Sequence, residues 1–256
     1  MKKYTGELLW EKIYNTIRFD WSNWAINTNT SKFVIGISGG KDSTCCAALA
    51  TKIFGKENVI GVLMPNGIQS DIEDARNVCL SLDIKYFEIN IKEAIDSISK
   101  NIELSSQAKI NLPARIRMAT LFAVAQSIGG KVINTCNASE DRIGYSTLFG
   151  DDCGAYSPLA QLTCTEVKNF TKWLGIEDKL AFKTPSDGLC GKSDEDNLGF
   201  TYLELDRYIR TGEWSNYETL KKIRDLENKN AFKGAIIHLP HPNLTSIIVK
   251  EGYYSA

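Results

Sequence analysis

The chain has 256 residues, 43% of them hydrophobic and 24% charged, and a formal net charge of −1. This is enough apolar sequence for one α/β domain of ordinary core size, and the near-neutral balance gives no electrostatic case for nucleic acid or a membrane surface as partner. No apolar run reaches transmembrane length and no signal-peptide core follows Lys2 and Lys3, so a cytoplasmic protein is expected.

Residues 4–27 read as an opening helix with Trp10, Ile13, Ile17, Trp21 and Trp24 on one stripe, a core or dimer-contact pattern. The apolar run 33–37 predicts a short buried strand, and the cysteine- and alanine-rich stretch after Ser43 a helix. Further strands are predicted at 58–63, 85–89 and 131–135. Helices are predicted at 71–82, N-capped by Ser70, and at 91–101 and 109–128. This alternation predicts a Rossmann-like α/β fold, a parallel sheet flanked by helices on both faces. Ligands of such sheets collect at the carboxyl ends of the strands, so residues 38–43, 64–70 and 135–140 should share one rim. Residues 139–162 read as a loop crowded with Glu140, Asp141, Asp151 and Asp152. Helices at 165–174 and 195–211 flank a glycine-rich 184–193 stretch suited to a lid. A charged helix at 219–229 and an extended tail with Lys233, His238 and His241 complete the chain, expected as a single domain over 1–256 without a glutaminase domain.

The stretch FVIGISGGKDST, residues 33–44, carries the chemistry. A strand, a glycine turn and a helix N-terminus together make an anion site, because first-turn N–H groups have no intrahelical partner and the helix dipole adds positive charge. Gly39 and Gly40 let the backbone approach a phosphate, and Ser38 and Ser43 add hydroxyl donors. The spacing is neither the P-loop G-x-x-x-x-G-K-[ST] nor the dinucleotide G-x-G-x-x-G. It resembles the pyrophosphate loop of the N-type ATP pyrophosphatases, which split ATP between the α and β phosphates. An aspartate in the loop suits Mg²⁺, which takes one or two carboxylates plus phosphate oxygens.

Further stretches occur in one collinear order: MPNGIQSDIEDA, ARIRM at 114–118, INTCNASEDRIGYSTLFGD at 133–151, SPLAQLT at 157–163, TPSDGL at 184–189, SDEDNLGFTYLELD at 193–206 and AFKG at 231–234. Together they resemble the ammonia-dependent NAD synthetases. That family activates the carboxylate of nicotinic acid adenine dinucleotide with ATP, then lets ammonia displace AMP. The resemblance implies ATP and Mg²⁺ as cofactors, a homodimer, and ammonia supplied free or by a partner. It implies ATP contacts at Gly36, Ile37, Ser38, Gly39, Gly40, Lys41, Asp42, Ser43, Met64, Thr135 and Ser186, with Asp42 and Glu140 binding the metal. It further implies catalytic roles for Asp42, Asp151 (near the ammonium) and Lys233, and substrate contacts at Arg115, Arg117, Leu148 and Ala155.

Several positions depart from the family pattern. T-K-Y-G-D appears as Thr147-Leu148-Phe149-Gly150-Asp151, the aspartate expected at 155 is alanine, and the lysine expected at 164 is Cys164. Tail His-Lys appears as Phe232-Lys233, and P-S/T-A-D-L as residues 185–189. Each charge-assisted hydrogen bond contributes about 1.5–3 kcal/mol, so several losses together could redirect the acid pocket. The alternative is therefore a relative that amidates another carboxylate, such as a uronic or biosynthetic acid, with dinucleotide turnover recovering on restoring lysine at 148 and 164. A tRNA- or cofactor-modifying pyrophosphatase would need a nucleic-acid appendage or paired cysteines, and a non-catalytic nucleotide binder would not need Asp42 and Glu140. The seven cysteines form no CxxC pair, and the two histidines sit in no triad spacing. Zinc is therefore not expected, and a nucleophilic Cys153, Cys164 or Cys190 is only weakly supported.

Overall fold

The computed structural model describes residues 6–177, 193–236 and 238–244. In chain order they form α1 (Gly6–Asn27), β1 (Phe33–Gly36), α2 (Lys41–Phe54), a 3₁₀ turn (Lys56–Asn58), β2 (Val59–Leu63), α3 (Ile72–Ser81) and β3 (Lys85–Glu88). These are followed by α4 (Lys92–Ser99), α5 (Ser106–Ser127), β4 (Lys131–Val132), α6 (Ala138–Ile143), α7 (Cys164–Trp173), α8 (Asp194–Leu198), α9 (Tyr202–Thr211) and α10 (Tyr217–Ile236).

The strands are parallel, in the order β3-β2-β1-β4, with Phe33 opposite both Val59 and Lys131. Successive side chains of a strand point to opposite faces, and the core divides accordingly. Phe33, Ile35 and Ile37 join α1, α2, α3 and α7 on one face. Val34, Val62 and Val132 pack on Met118, Leu121 and Ala125 of α5 on the other. A third cluster joins Ile143, Cys164, Tyr202, Leu205 and Ile223 beyond the sheet.

The tryptophan stripe of α1 is core. Trp21 is fully buried, stacked on Tyr156 at 5.3 Å and edge-on to Phe33 at 5.7 Å, and Trp10 stacks on Phe170. These rings are not available to a partner.

Most boundaries shift from expectation by one to three residues, and four differences change how the chain is read. Ser70 does not cap α3, because the helix begins after Asp71, whose carboxylate takes Gln69 Nε2 instead of a backbone N–H. β4 ends at Val132 rather than 135, because Ile133 bridges to Tyr156 and the chain there takes a new neighbour. The segment 195–211 is two helices. Gly199 adopts a left-handed conformation at φ 71°, and Thr201 opens α9 with its own capping box. Lys233 lies on α10 and not in an extended tail.

Candidate active site

Strand order reverses between β1 and β4, and their carboxyl ends open the crevice where doubly wound sheets bind ligands. The loop after β1 and helix α6 after β4 meet there. Within the loop, Gly39 has φ +77°, and a Cβ on it would stand 2.9 Å from Ala75 N and Asp74 Cβ, so only glycine lets α3 pack this close. Ser38 Oγ accepts from Gly40 N–H and lies 3.1 Å from Ser43 Oγ, which donates to the Gly40 carbonyl. The helices α6, α7, α8 and α9 each carry a complete capping box, whereas no side chain caps α2 at Gly40. The first turn of α2 thus presents its N–H groups to the rim.

Helix α6 was not expected, since SEDRIG reads as a charged loop. Its signal is the capping box: Asn137 Oδ1 accepts from Ser139 and Glu140 N–H while Glu140 Oε2 accepts from Asn137 N–H. The same cap reaches the loop, because Asn137 Nδ2 donates to Asp42 Oδ1 at 2.9 Å. Buried Asp206 on α9 then accepts from Ser139 Oγ and from Thr165 N–H at 2.7 Å, which ties α6, α7 and α9 together behind the site.

Asp42 and Glu140, expected 98 positions apart in one metal pair, come together around the Lys41 ammonium. Nζ lies 2.6 Å from Asp42 Oδ2 and 3.8 Å from Glu140 Oε1, with only 2% of the Lys41 side chain exposed. Burial alone would lower the lysine, but Asp42 and Glu140 outweigh it and the net direction is up. Glu140 is pushed well above the carboxylate range by burial and then by Asp42, with Lys41 opposing. The donor set fits a divalent ion: two carboxylates converge on one point of positive charge, and among the described residues the buried Tyr202 hydroxyl beside them has no hydrogen-bond partner.

The other expected residues distribute as follows. Thr135 is half-buried just beyond β4, at the rim. Gly36 sits in the sheet under Leu121 and Met64, and Ile37 and Met64 are buried core residues. Arg117 Nε donates to the Met64 carbonyl and Arg115 Nε to the Leu148 carbonyl; among the described residues no carboxylate lies within ion-pair distance of either guanidinium. Asp151 accepts from Thr147 N–H at 2.9 Å. Lys233 Nζ donates to the Gly144 and Ser146 carbonyls, where with Asn230 it closes the C-terminal end of α6. Ser186, Cys190 and the lid stretch 184–192 lie outside the described residues.

Two of the acids that crowd the 139–162 stretch form a second group, with a cysteine the sequence did not join to them. Ligating atoms of Cys136, Asp141 and Asp152 lie within 4.8 Å of one another, beside a cavity of about 250 Å³ that Lys233 and His241 also line. Desolvation, then Asp152 and Asp151, push Asp141 up to about 7, although its side chain stays open to solvent at the cavity mouth. A carboxylate raised in the fold is destabilising above its folded pKa, and the penalty fades as pH falls from 7 toward 4. Asp141→Asn is therefore expected to raise the melting temperature by about one to a few degrees at pH 8 and by less at pH 5. Equal shifts at both pH values in a thermal scan would refute this.

The departures from the family pattern also find places. Leu148 bridges to Asp152, and Ala155 N–H bonds the Val132 carbonyl at the sheet edge. Cys164 is fully buried near Lys41. A lysine restored at 164 would bury a second ammonium near that of Lys41. Burial pushes Cys45 and Cys79 up to about 12 and raises Cys46, Cys136, Cys153 and Cys164, which disfavours their thiolate forms.

The profile of the family described as NAD synthase matches residues 13–236. The chain belongs to the NAD synthase family. Among NAD synthase relatives, the NH(3)-dependent NAD(+) synthetase of Pyrococcus horikoshii is 45% identical over 179 residues, 69% of this chain and 70% of that one. Of solved structures, the NMN synthetase from Francisella tularensis superposes with a TM-score of 0.80 at 31% identity, over 93% of this chain and 99% of that one. The NH3-dependent NAD synthetase from Campylobacter jejuni gives 0.74 at 29% identity, over 90% and 98%. The NAD synthase fold accounts for the parallel sheet and for the crevice between β1 and β4.

Proposed function

We propose that this protein is an ATP-dependent ligase that adenylates the carboxylate of nicotinic acid adenine dinucleotide and transfers ammonia to it, releasing AMP and pyrophosphate to give NAD⁺. The observation that carries this reading is the meeting of Asp42 and Glu140 at the uncapped start of α2, in a chain matched along most of its length by NAD synthase. The relatives named above all make pyridine nucleotides, so Leu148, Ala155 and Cys164 are read as variation within that chemistry and not as a switch to a uronic acid.

A carboxylate oxygen leaves poorly until it is adenylated, so charge on the departing pyrophosphate must be stabilised. The uncapped first-turn N–H groups of α2, from Lys41 to Ser43, would face that charge. Asp42 and Glu140 would hold Mg²⁺, which when bound neutralises charge developing on the phosphate oxygens. Arg115 and Arg117 are the cations available for the substrate's anionic groups. Asp151, which the surrounding protein pushes up, is suited to take a proton as ammonium becomes ammonia. Lys233 braces the end of α6 and so positions Glu140 rather than reacting.

The same reading carries a cytoplasmic homodimer. No helix among the described residues is long and apolar enough to cross a membrane. The exposed Ile110 and Phe122 of α5 would supply apolar surface for a second copy to cover; a 28.5 kDa species on sedimentation would remove the dimer.

A second reading, amidation of the deamidated mononucleotide, is favoured by the likeness to the Francisella tularensis NMN synthetase. One assay separates them: AMP and amide product measured with ATP, Mg²⁺, ammonium and either acid. Stoichiometric AMP and NAD⁺ with the dinucleotide is the expected result. Turnover of the mononucleotide alone would shift the substrate, and no acid-dependent AMP from protein that binds ATP would overturn both.

A further inference from the structure

We propose that Lys41 is a resident cation of the Asp42–Glu140 pair that a divalent ion must displace, so that metal enters with the nucleotide and not ahead of it. The inference rests on the reading of that pair as the metal ligands. The Lys41 side chain does not reach out toward a phosphate. It is 2% exposed, its ammonium contacts Asp42 at 2.6 Å and Glu140 at 3.8 Å, and it lies over the Tyr202 ring at 5.6 Å from the centroid. A lysine ammonium and a Mg²⁺ ion answer the same need here, a positive charge between two carboxylates in a shielded crevice.

The two cannot share the gap. Nζ lies between Asp42 Oδ2 and Glu140 Oε1, so an ion held by both carboxylates would compete with it for that space. Asp42 and Glu140 keep 18% and 16% of their side chains exposed, which leaves the ion a path in. The buried Tyr202 hydroxyl has no hydrogen-bond partner among the described residues and offers the displaced ammonium an acceptor on the ring it already covers. Two neighbouring cations repel strongly at such separations in a partly dehydrated site. The triphosphate of an arriving nucleotide supplies the negative charge that lets both stay.

The test is Mn²⁺ binding to the full chain, read by electron paramagnetic resonance without nucleotide. Lys41→Met should bind Mn²⁺ at least about tenfold more tightly than the wild type, and Lys41→Arg, which keeps the charge, should stay near the wild type. Wild-type binding should tighten sharply with ATP. Lys41→Met binding no more tightly than the wild type would overturn the proposal. If Lys41→Met does not fold, ¹⁵N-lysine spectra of the wild type decide: the Lys41 ammonium resonance, identified by its loss in Lys41→Arg, should move with Mg²⁺ and ATP but not with Mg²⁺ alone at the same concentration. A resonance that moves equally with Mg²⁺ alone would overturn it. Should no form bind Mn²⁺ even with ATP, the metal reading of Asp42 and Glu140 fails first and the proposal with it.

Discussion

Asp42→Asn is expected to lower kcat/KM for acid-dependent AMP formation by about 10²–10³-fold, the scale on which enzymes lose rate when one group facing developing charge is removed. Asp42 stands at the start of α2, beside the loop proposed to hold the pyrophosphate, and is held in register by Asn137 of α6. The asparagine keeps the shape but forfeits the charge, so Glu140 alone faces any metal and Lys41 loses its nearer partner. Initial rates at saturating ATP, with circular dichroism to confirm the fold, test it. A variant within tenfold of the wild type would remove Asp42 from the catalytic machinery. A large rise in the Mg²⁺ concentration needed for half-maximal rate would tie the loss to the metal.

Arg210→Met should cost about 3–5 kcal/mol of stability, because it strands a buried carboxylate. Arg210 forks onto Glu166, Nε to Oε1 at 2.8 Å and Nη2 to Oε2 at 2.5 Å, and also donates to the Gln161 carbonyl at 2.7 Å. The exposures of the two side chains are 11% and 2%, so solvent screens little of this loss. Urea unfolding should show it, together with a melting temperature lower by roughly 10 °C. Replacing Glu166 as well would recover only part of the loss, since that carboxylate also closes the capping box of α7 on Thr163 N–H. A loss below about 1 kcal/mol would place the pair among ordinary surface bridges.

The frame of the fold was legible because period and punctuation agreed from 33 to 132. Alternation of apolar runs, glycine turns and amphipathic stretches placed the strands and helices, and with them the parallel sheet. What sequence reasoning missed depends on partners distant in the chain. Ser70 looked like a cap, but Asp71 turned to Gln69. Helix α6 was hidden because its two capping residues, Asn137 and Glu140, are the polar residues that also mark loops. Lys233 was set in a tail, whereas the carbonyls that hold it belong to the end of α6. Lys41 was counted among the ATP contacts by resemblance; its burial against both Asp42 and Glu140 depends on α6, which the local sequence does not reveal. Strand order placed Asp42 and Glu140 on one rim and the resemblance made them a metal pair; the bond from Asn137 to Asp42 is the physical link between their two segments.

The pairing of Phe33 with Lys131 has a consequence for how the molecule is made. The two strands join residues roughly a hundred positions apart, so their pairing is the most distant in the sheet and follows the nearer pairing of β1 with β2. During synthesis Asp42 must wait for Glu140 to emerge, and a carboxylate dragged unaccompanied into a forming interior would slow that closure. Lys41 is its immediate neighbour and emerges with it. The nascent β1–α2 hairpin of strand and helix thus carries its own counterion, and collapse need not wait for a dissolved metal.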